Sequence, residues 1–143
     1  MKGDILPNED HIARFCRPMQ IEDGQIKPSA FIVRKDYDDS LSVNWLEILN
    51  CLSREKEIAA LRNIYAKKLY VGATAKIAVL HVGEVIKKVF EASVDSRVLE
   101  IKHNPENNDL SHSGIYNLKY DDIEIARLIL QTVHKTEIYP ARQ

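Results

Sequence analysis

Between Ala75 and His103 the hydrophobic pattern changes period twice within fewer than thirty residues. Ala75 to His81 is a β-prone apolar run, and Val82, Val85, Ile86, Val89 and Phe90 then recur at the i, i+3, i+4, i+7, i+8 spacing of a helix with one buried face. Lys87, Lys88 and Glu91 fall on its other side, and Arg97 to His103 returns to strand-like character. A strand, a helix and a strand this close together suit a compact βαβ crossover with parallel strands. Two further helical stripes accompany it. Ile58, Leu61, Ile64, Tyr65 and Leu69 share a face over about Ser53 to Leu69, where Ser53 can cap the first turn. Ile125, Leu128, Ile129 and Val133 do so over about Asp122 to His134, with Asp121 and Glu124 spaced as a cap and its N3 partner.

Strands are expected at Ile12 to Arg17, Ala30 to Arg34 and Leu41 to Trp45, the last two joined as a hairpin by the acidic turn Asp36-Tyr37-Asp38-Asp39. Runs of strand precede runs of helix, which predicts an α+β fold with a mixed sheet, about three helices and a βαβ unit at 75–103. No linker, repeat or low-complexity tract divides the 143 residues, so one domain over 1–143 with short mobile ends is expected.

Size and charge then limit the function. A chain of this length buries roughly two thirds of its unfolded surface and needs no disulfide, metal or organic cofactor to hold a core. Cys16 and Cys51 form no CxxC pair and suggest a reducing cytoplasm. The acidic N-terminal segment does not read as a signal peptide, and no apolar run reaches the ~18 residues of a membrane span, so no membrane contact is expected. The formal net charge of −1 disfavours nucleic acid as a partner, except at a local patch. Such a patch exists in the middle of the chain, where residues 51–102 hold 10 basic and 6 acidic side chains. The GxGxxG, GxxxxGK[ST] and GxSxG motifs are absent, which removes the usual support for dinucleotide binding, P-loop hydrolysis and nucleophile-elbow hydrolases.

Three polar clusters interrupt the apolar pattern. In His11-Ile12-Ala13-Arg14-Phe15-Cys16-Arg17 neither strand face is cleanly apolar. His11, Arg14 and Arg17 can receive a phosphate or carboxylate, or can be edge-strand residues whose heads reach water. The thiol of Cys16 can be activated by Arg17 or be a small buried hydrophobe. In Leu41 to Glu47, Leu41, Val43 and Trp45 alternate inward, with Trp45 as the core anchor. Ser42, Asn44 and Glu47 are left to hold a ligand or, for Asn44 and Glu47, to start a short helix. The loop from His103 to Gly114 carries His103, Asp109, Ser111 and His112, candidates for ligand binding, for an acid–base histidine pair or for metal ligation, although no established metal motif is matched. At His81-Val82-Gly83 a helix N-terminus follows a strand and can face an anion.

The segments His11 to Cys16, Leu41 to Glu47 and Asp109 to Ile115 together resemble a group of small uncharacterised bacterial proteins that share HxARFC, LSVNWLE and DxSHSGI-like stretches in the same order. The resemblance implies no reaction and no catalytic residue, and it suggests a genomic setting among mobile or defence-related genes. A more distant similarity is to the ADP-ribosyltransferase pattern, with His11 or Arg14, Ser42 and Glu47 as its His/Arg, Ser and Glu. This chain is short for that fold, and Ser42 and Glu47 stand close together.

Two functions follow as expectations. One is a small cytosolic accessory or interaction protein of a larger bacterial system. It would meet a larger protein partner through the basic helix face of Arg54, Lys56, Arg62, Lys67 and Lys68. The alternative is an enzyme acting on a nucleotide or nucleic-acid phosphate, which requires His11, Arg14, His103 and His112 to converge on one cleft.

Overall fold

The computed structural model describes residues 2–34 and 39–143. Its strands are β1 (His11–Cys16), β2 (Ile21–Glu22), β3 (Gln25–Ile26), β4 (Leu41–Trp45), β5 (Lys76–His81), β6 (Glu100–His103), β7 (His112–Tyr116) and β8 (Ile138–Pro140). Three α-helices, α1 (Arg54–Lys68), α2 (Val82–Ala92) and α3 (Ile123–Gln131), make this an α+β fold. Six strands form one sheet in the order β6-β7-β4-β1-β5-β8, and β2 with β3 forms a separate ribbon. Every described pairing is antiparallel.

The sequence 75–103 does form strand, helix and strand, as β5, α2 and β6. Because each neighbour in the sheet is antiparallel, β5 and β6 run in the same direction, but β1, β4 and β7 lie between them. The sides of β5 are already taken by β1 and β8. The connection through α2 therefore carries β6 four strand positions away, roughly 19 Å at the usual spacing. Placement of β1 also departs from expectation. It is an interior strand, not an edge, which explains its mixed pattern: both of its faces are covered.

One face of the sheet packs on α2 and α3, through Ile12, Cys16, Leu41, Val43, Leu80, Ile101 and Ile115 against Val82, Val85, Val89, Ile125 and Ile129. The opposite face packs on α1, through Ala13, Phe15, Leu46, Ile77 and Val79 against Ile58, Leu61 and Tyr65. Trp45 is half-buried at the margin of the first layer, its indole N–H donating to Asp10 Oδ2 at 2.8 Å. It is not the central anchor; the fully buried aliphatic side chains are, at about 1.5–3 kcal/mol each.

Local chemistry sets the element ends. Ser53 Oγ accepts from the backbone N–H of Lys56 at 3.2 Å and starts α1 as expected. The Asp121–Glu124 cap does not form. Asp121 sits at a positive φ of 59°, and the N-cap residue Asp122 gives its carboxylate to Arg97 at 2.8 Å instead of to the helix. No strand spans Ala30 to Arg34. Pro28 opens a 3₁₀ turn over Pro28–Phe31, which buries Ala30 and Phe31 under the sheet. Residues 36–38 of the expected hairpin turn lie outside the described residues.

Candidate functional site

Strands β1 and β4 pair only at Ile12–Trp45 and Ala13–Asn44. Beyond that point they part, and Arg14 fills the parting: Nε donates to Ala30 O at 2.7 Å and Nη1 to Ser42 O at 2.9 Å. The carbonyl of Ser42, deprived of a ladder partner on β1, thus receives a charged one. A cleft of about 240 Å³ opens here on the α1 side, with Phe15, Ile32, Leu41 and Leu69 as its apolar wall. Its cations are Arg14, Arg17, Arg34 and Lys68.

Beneath the cleft lies a buried polar network. Tyr65 OH donates to Asn44 Oδ1 at 2.8 Å. The amide of Asn44 donates to Asp109 Oδ2 and Ser111 Oγ, both at 2.7 Å, and Ser111 Oγ donates to Asp109 Oδ1 at 2.7 Å. Lys68 Nζ reaches Asp109 at 3.1 Å and Glu106 at 2.9 Å. Burial alone would raise the Asp109 carboxyl, but the donors Ser111, Asn44 and Lys68 overcome it and hold the pKa below the usual carboxylate range. For Lys68, burial opposes the charge, and its bonds to Glu106 and Asp109 outweigh this and raise its pKa. Burial, then the charge of Asp109, drives the Tyr65 hydroxyl upward, so it stays a donor.

His112 stands at the start of β7, buried in the cleft wall. Its Nδ1 lies 2.8 Å from Asn104 O and its Nε2 3.2 Å from Ser42 Oγ. The segment from His103 to His112 is a tight hairpin rather than an open loop. Asn104 N donates to His112 O at 2.9 Å, and Glu106 and Asp109 exchange backbone bonds at 3.0 and 3.1 Å.

Of the residues singled out from sequence, the cleft brings together Arg14, Arg17, Ser42, Asn44 and His112, with Asp109 and Ser111 in the network under it. The four-residue constellation of His11, Arg14, His103 and His112 does not assemble. His103 pairs with Ser113 in the β6–β7 register, which puts it on the sheet face opposite His112. There it packs edge-on against Trp45 at 5.1 Å and donates from Nε2 to Leu110 O at 2.8 Å. His11 is held by Glu47, through Nδ1 at 2.7 Å and its backbone N–H at 2.8 Å, and neither residue lines the cleft. The ADP-ribosyltransferase-like grouping thereby loses its Glu. Asn44 is a strand residue and caps nothing; the 3₁₀ turn Glu47–Leu49 begins after Leu46.

The basic helix face is also rearranged. Arg54 pairs with Glu57 and Glu137, Arg62 donates twice to Pro140 O, and Lys68 turns into the network, leaving Lys56 and Lys67 exposed. Burial pushes the Cys16 thiol up to about 12, against the small opposing effect of Arg14, so Cys16 is the buried hydrophobe. At the N-terminus of α2, His81 Nδ1 accepts from Glu84 N–H, Gly83 N–H donates to Asn8 O and Val82 N–H to Asp10 O, so the chain itself occupies these donors. Among the described residues no group of three His, Cys, Asp or Glu side chains is placed to hold a metal ion, and no helix is long and apolar enough to cross a membrane.

Sequence reasoning missed Tyr65, Arg34 and Glu106. Only Tyr65 carried a signal: a hydroxyl in the middle of a buried stripe must find a partner inside. The chain matches no protein-family model, no curated protein and no solved structure, so its functional reading rests on the geometry of this cleft.

Proposed function

We propose that the cleft takes a phosphate-bearing ligand, a nucleotide or the end of a nucleic-acid chain, and that the protein is an enzyme acting at that phosphate. One observation carries this reading. Four cations, Arg14, Arg17, Arg34 and Lys68, line the cleft, and Glu106 is the one acidic side chain among its described lining residues, in a chain whose net charge is −1. Phosphate recognition calls for such a concentration of guanidinium and ammonium groups. The apolar wall beside it offers a surface for a base or sugar. In isothermal titration, ADP and pyrophosphate are expected to bind and adenosine to bind far more weakly. Reversing two exposed cations, Arg17→Glu with Arg34→Glu, is expected to abolish binding in a chain that circular dichroism still shows to be folded. Equal binding of ADP by the reversed variant would sink the reading.

A second reading, an accessory protein for a larger partner, draws on a different surface. Arg97 ties the segments around 95 and 117–122 together through Asp95, Asn117 O and Asp122. In or beside these segments Val94, Val98 and Tyr120 are exposed, at 98%, 53% and 60%. Loss of a co-purifying protein on Val94→Asp with Val98→Asp supports it, and unchanged capture refutes this surface.

A further inference from the structure

We propose that Ser42 is the nucleophile of the cleft and His112 its base, so that a phosphoryl group passes through a covalent bond to Ser42; this rests on the reading of the cleft as a phosphate site. A carbonyl oxygen only accepts, so His112 Nδ1, 2.8 Å from Asn104 O, carries the ring proton. The lone pair is left on Nε2, 3.2 Å from Ser42 Oγ. The imidazole is therefore held in the tautomer that takes a proton from the Ser42 hydroxyl.

The surroundings fit that task. Ser42 is exposed on β4, open to an incoming ligand, while His112 is 8% exposed and anchored to the hairpin. Glu106 Oε2 lies 3.9 Å from His112 Nδ1, where its charge favours the imidazolium formed as the proton arrives. Lys68 in turn fixes Glu106. Nucleophile, base and orienting groups come from β4, β7 and the hairpin between β6 and β7, so the arrangement is defined by geometry and not by a local motif.

In the first step Ser42 Oγ attacks the phosphorus of a phosphate monoester. The phosphorus–oxygen bond to the leaving group breaks with its electron pair, and His112 passes the hydroxyl proton to that oxygen, which departs as an alcohol. Water then attacks the phosphoserine phosphorus. His112 takes a proton from the water and returns one to Ser42 Oγ as inorganic phosphate leaves.

Diisopropyl fluorophosphate tests the step, because an activated hydroxyl displaces its fluoride. Labelling of the full chain is followed by intact mass and peptide mapping. One adduct at Ser42 is expected, with none in Ser42→Ala, labelling slowed by about 100-fold or more in His112→Gln, and protection by excess pyrophosphate. If His112→Gln fails to fold by circular dichroism, the exposed-site variant and the pyrophosphate competition decide. No adduct at Ser42 in a chain that binds pyrophosphate overturns the nucleophile and leaves the binding reading standing. Labelling of Ser42 in a chain that does not bind pyrophosphate overturns the phosphate reading, and the phosphoryl step with it.

Discussion

Asn44 Nδ2 donates to Asp109 Oδ2 at 2.7 Å across 65 residues of sequence, with both side chains buried. This bond ties β4 to the β6–β7 hairpin and so holds the cleft floor to its wall. Replacing Asn44 by Ala leaves Tyr65 OH and Asp109 short of partners inside the protein. The expected cost is about 2–4 kcal/mol in urea denaturation, since each stranded buried group costs roughly 1–3 kcal/mol. A loss within experimental error would show that water replaces the amide.

The depressed pKa of Asp109 makes stability depend on acid. The unfolded carboxyl titrates near about 4, and the folded one lower, so the stabilisation is complete above about pH 4 and is lost as pH falls through the folded pKa. Glu137 is also held low: burial works against it, and Tyr139 and Arg54 overcome this. Asp109→Asn is therefore expected to flatten the acid limb of the thermal midpoint between pH 2 and 5 without removing it. An acid limb identical to that of the parent would rule out Asp109 as a contributor.

Cys16 and Cys51 should separate cleanly under alkylation. With its pKa pushed up to about 12 and its side chain sealed in the core, Cys16 stays unmodified by iodoacetamide at pH 8. Cys51 is half-buried and should take the first equivalent. Two equivalents should enter only in denaturant, and rapid native labelling of Cys16 by mass mapping would contradict its packing.

Gly114 faces Ser42 across the β4–β7 register, and a Cβ there would lie 2.7 Å from Ser40 Oγ, 3.0 Å from Ser40 Cβ and 3.0 Å from Tyr116 Cε1. Gly114→Ala should cost about 1–3 kcal/mol through overpacking. Adding Ser40→Gly removes the nearest obstacle, so the double variant should regain part of the loss. Purely additive destabilisation would place the clash elsewhere.

Arg14 is structural as well as electrostatic. Arg14→Gln gives up charged bonds to the carbonyls of Ala30 and Ser42, and a loss of about 2 kcal/mol in thermal unfolding is expected for this half-buried group. A variant of unchanged stability would mean that the parting of β1 and β4 closes without it.

Periodicity made the helices readable, because each packs on one face only: the stripe Val82, Val85 and Val89 is buried as spaced, and Ser53 announces α1. Alternation likewise separated Leu41 and Val43 from Ser42 and Asn44. Sheet order was not readable, since the choice of neighbour for β5 is a long-range competition that no local pattern records. The site was legible in part for the same reason. Arg14, Ser42, Asn44 and His112 stand out as polar residues in apolar runs. That His112 and His103 lie on opposite faces depends on the β6–β7 register, and Lys68 looks like any solvated helix lysine until the hairpin meets it.

The interior position of β1 has a consequence for synthesis. β1 waits for a strand that follows it far along the sequence: before β5 emerges, β1 has only two paired positions with β4, whereas β5 supplies a register of six from His11–His81 to Cys16–Lys76. Such distant pairing makes folding slow relative to helical proteins of the same size. Nascent chains halted before residue 76 should be readily digested by protease, and protection should begin once His81 has cleared the ribosome. Since Arg14, Ser42 and His112 come from β1, β4 and β7, the cleft cannot be complete until β7 has been made, after the pairing of β1 with β5 is already possible.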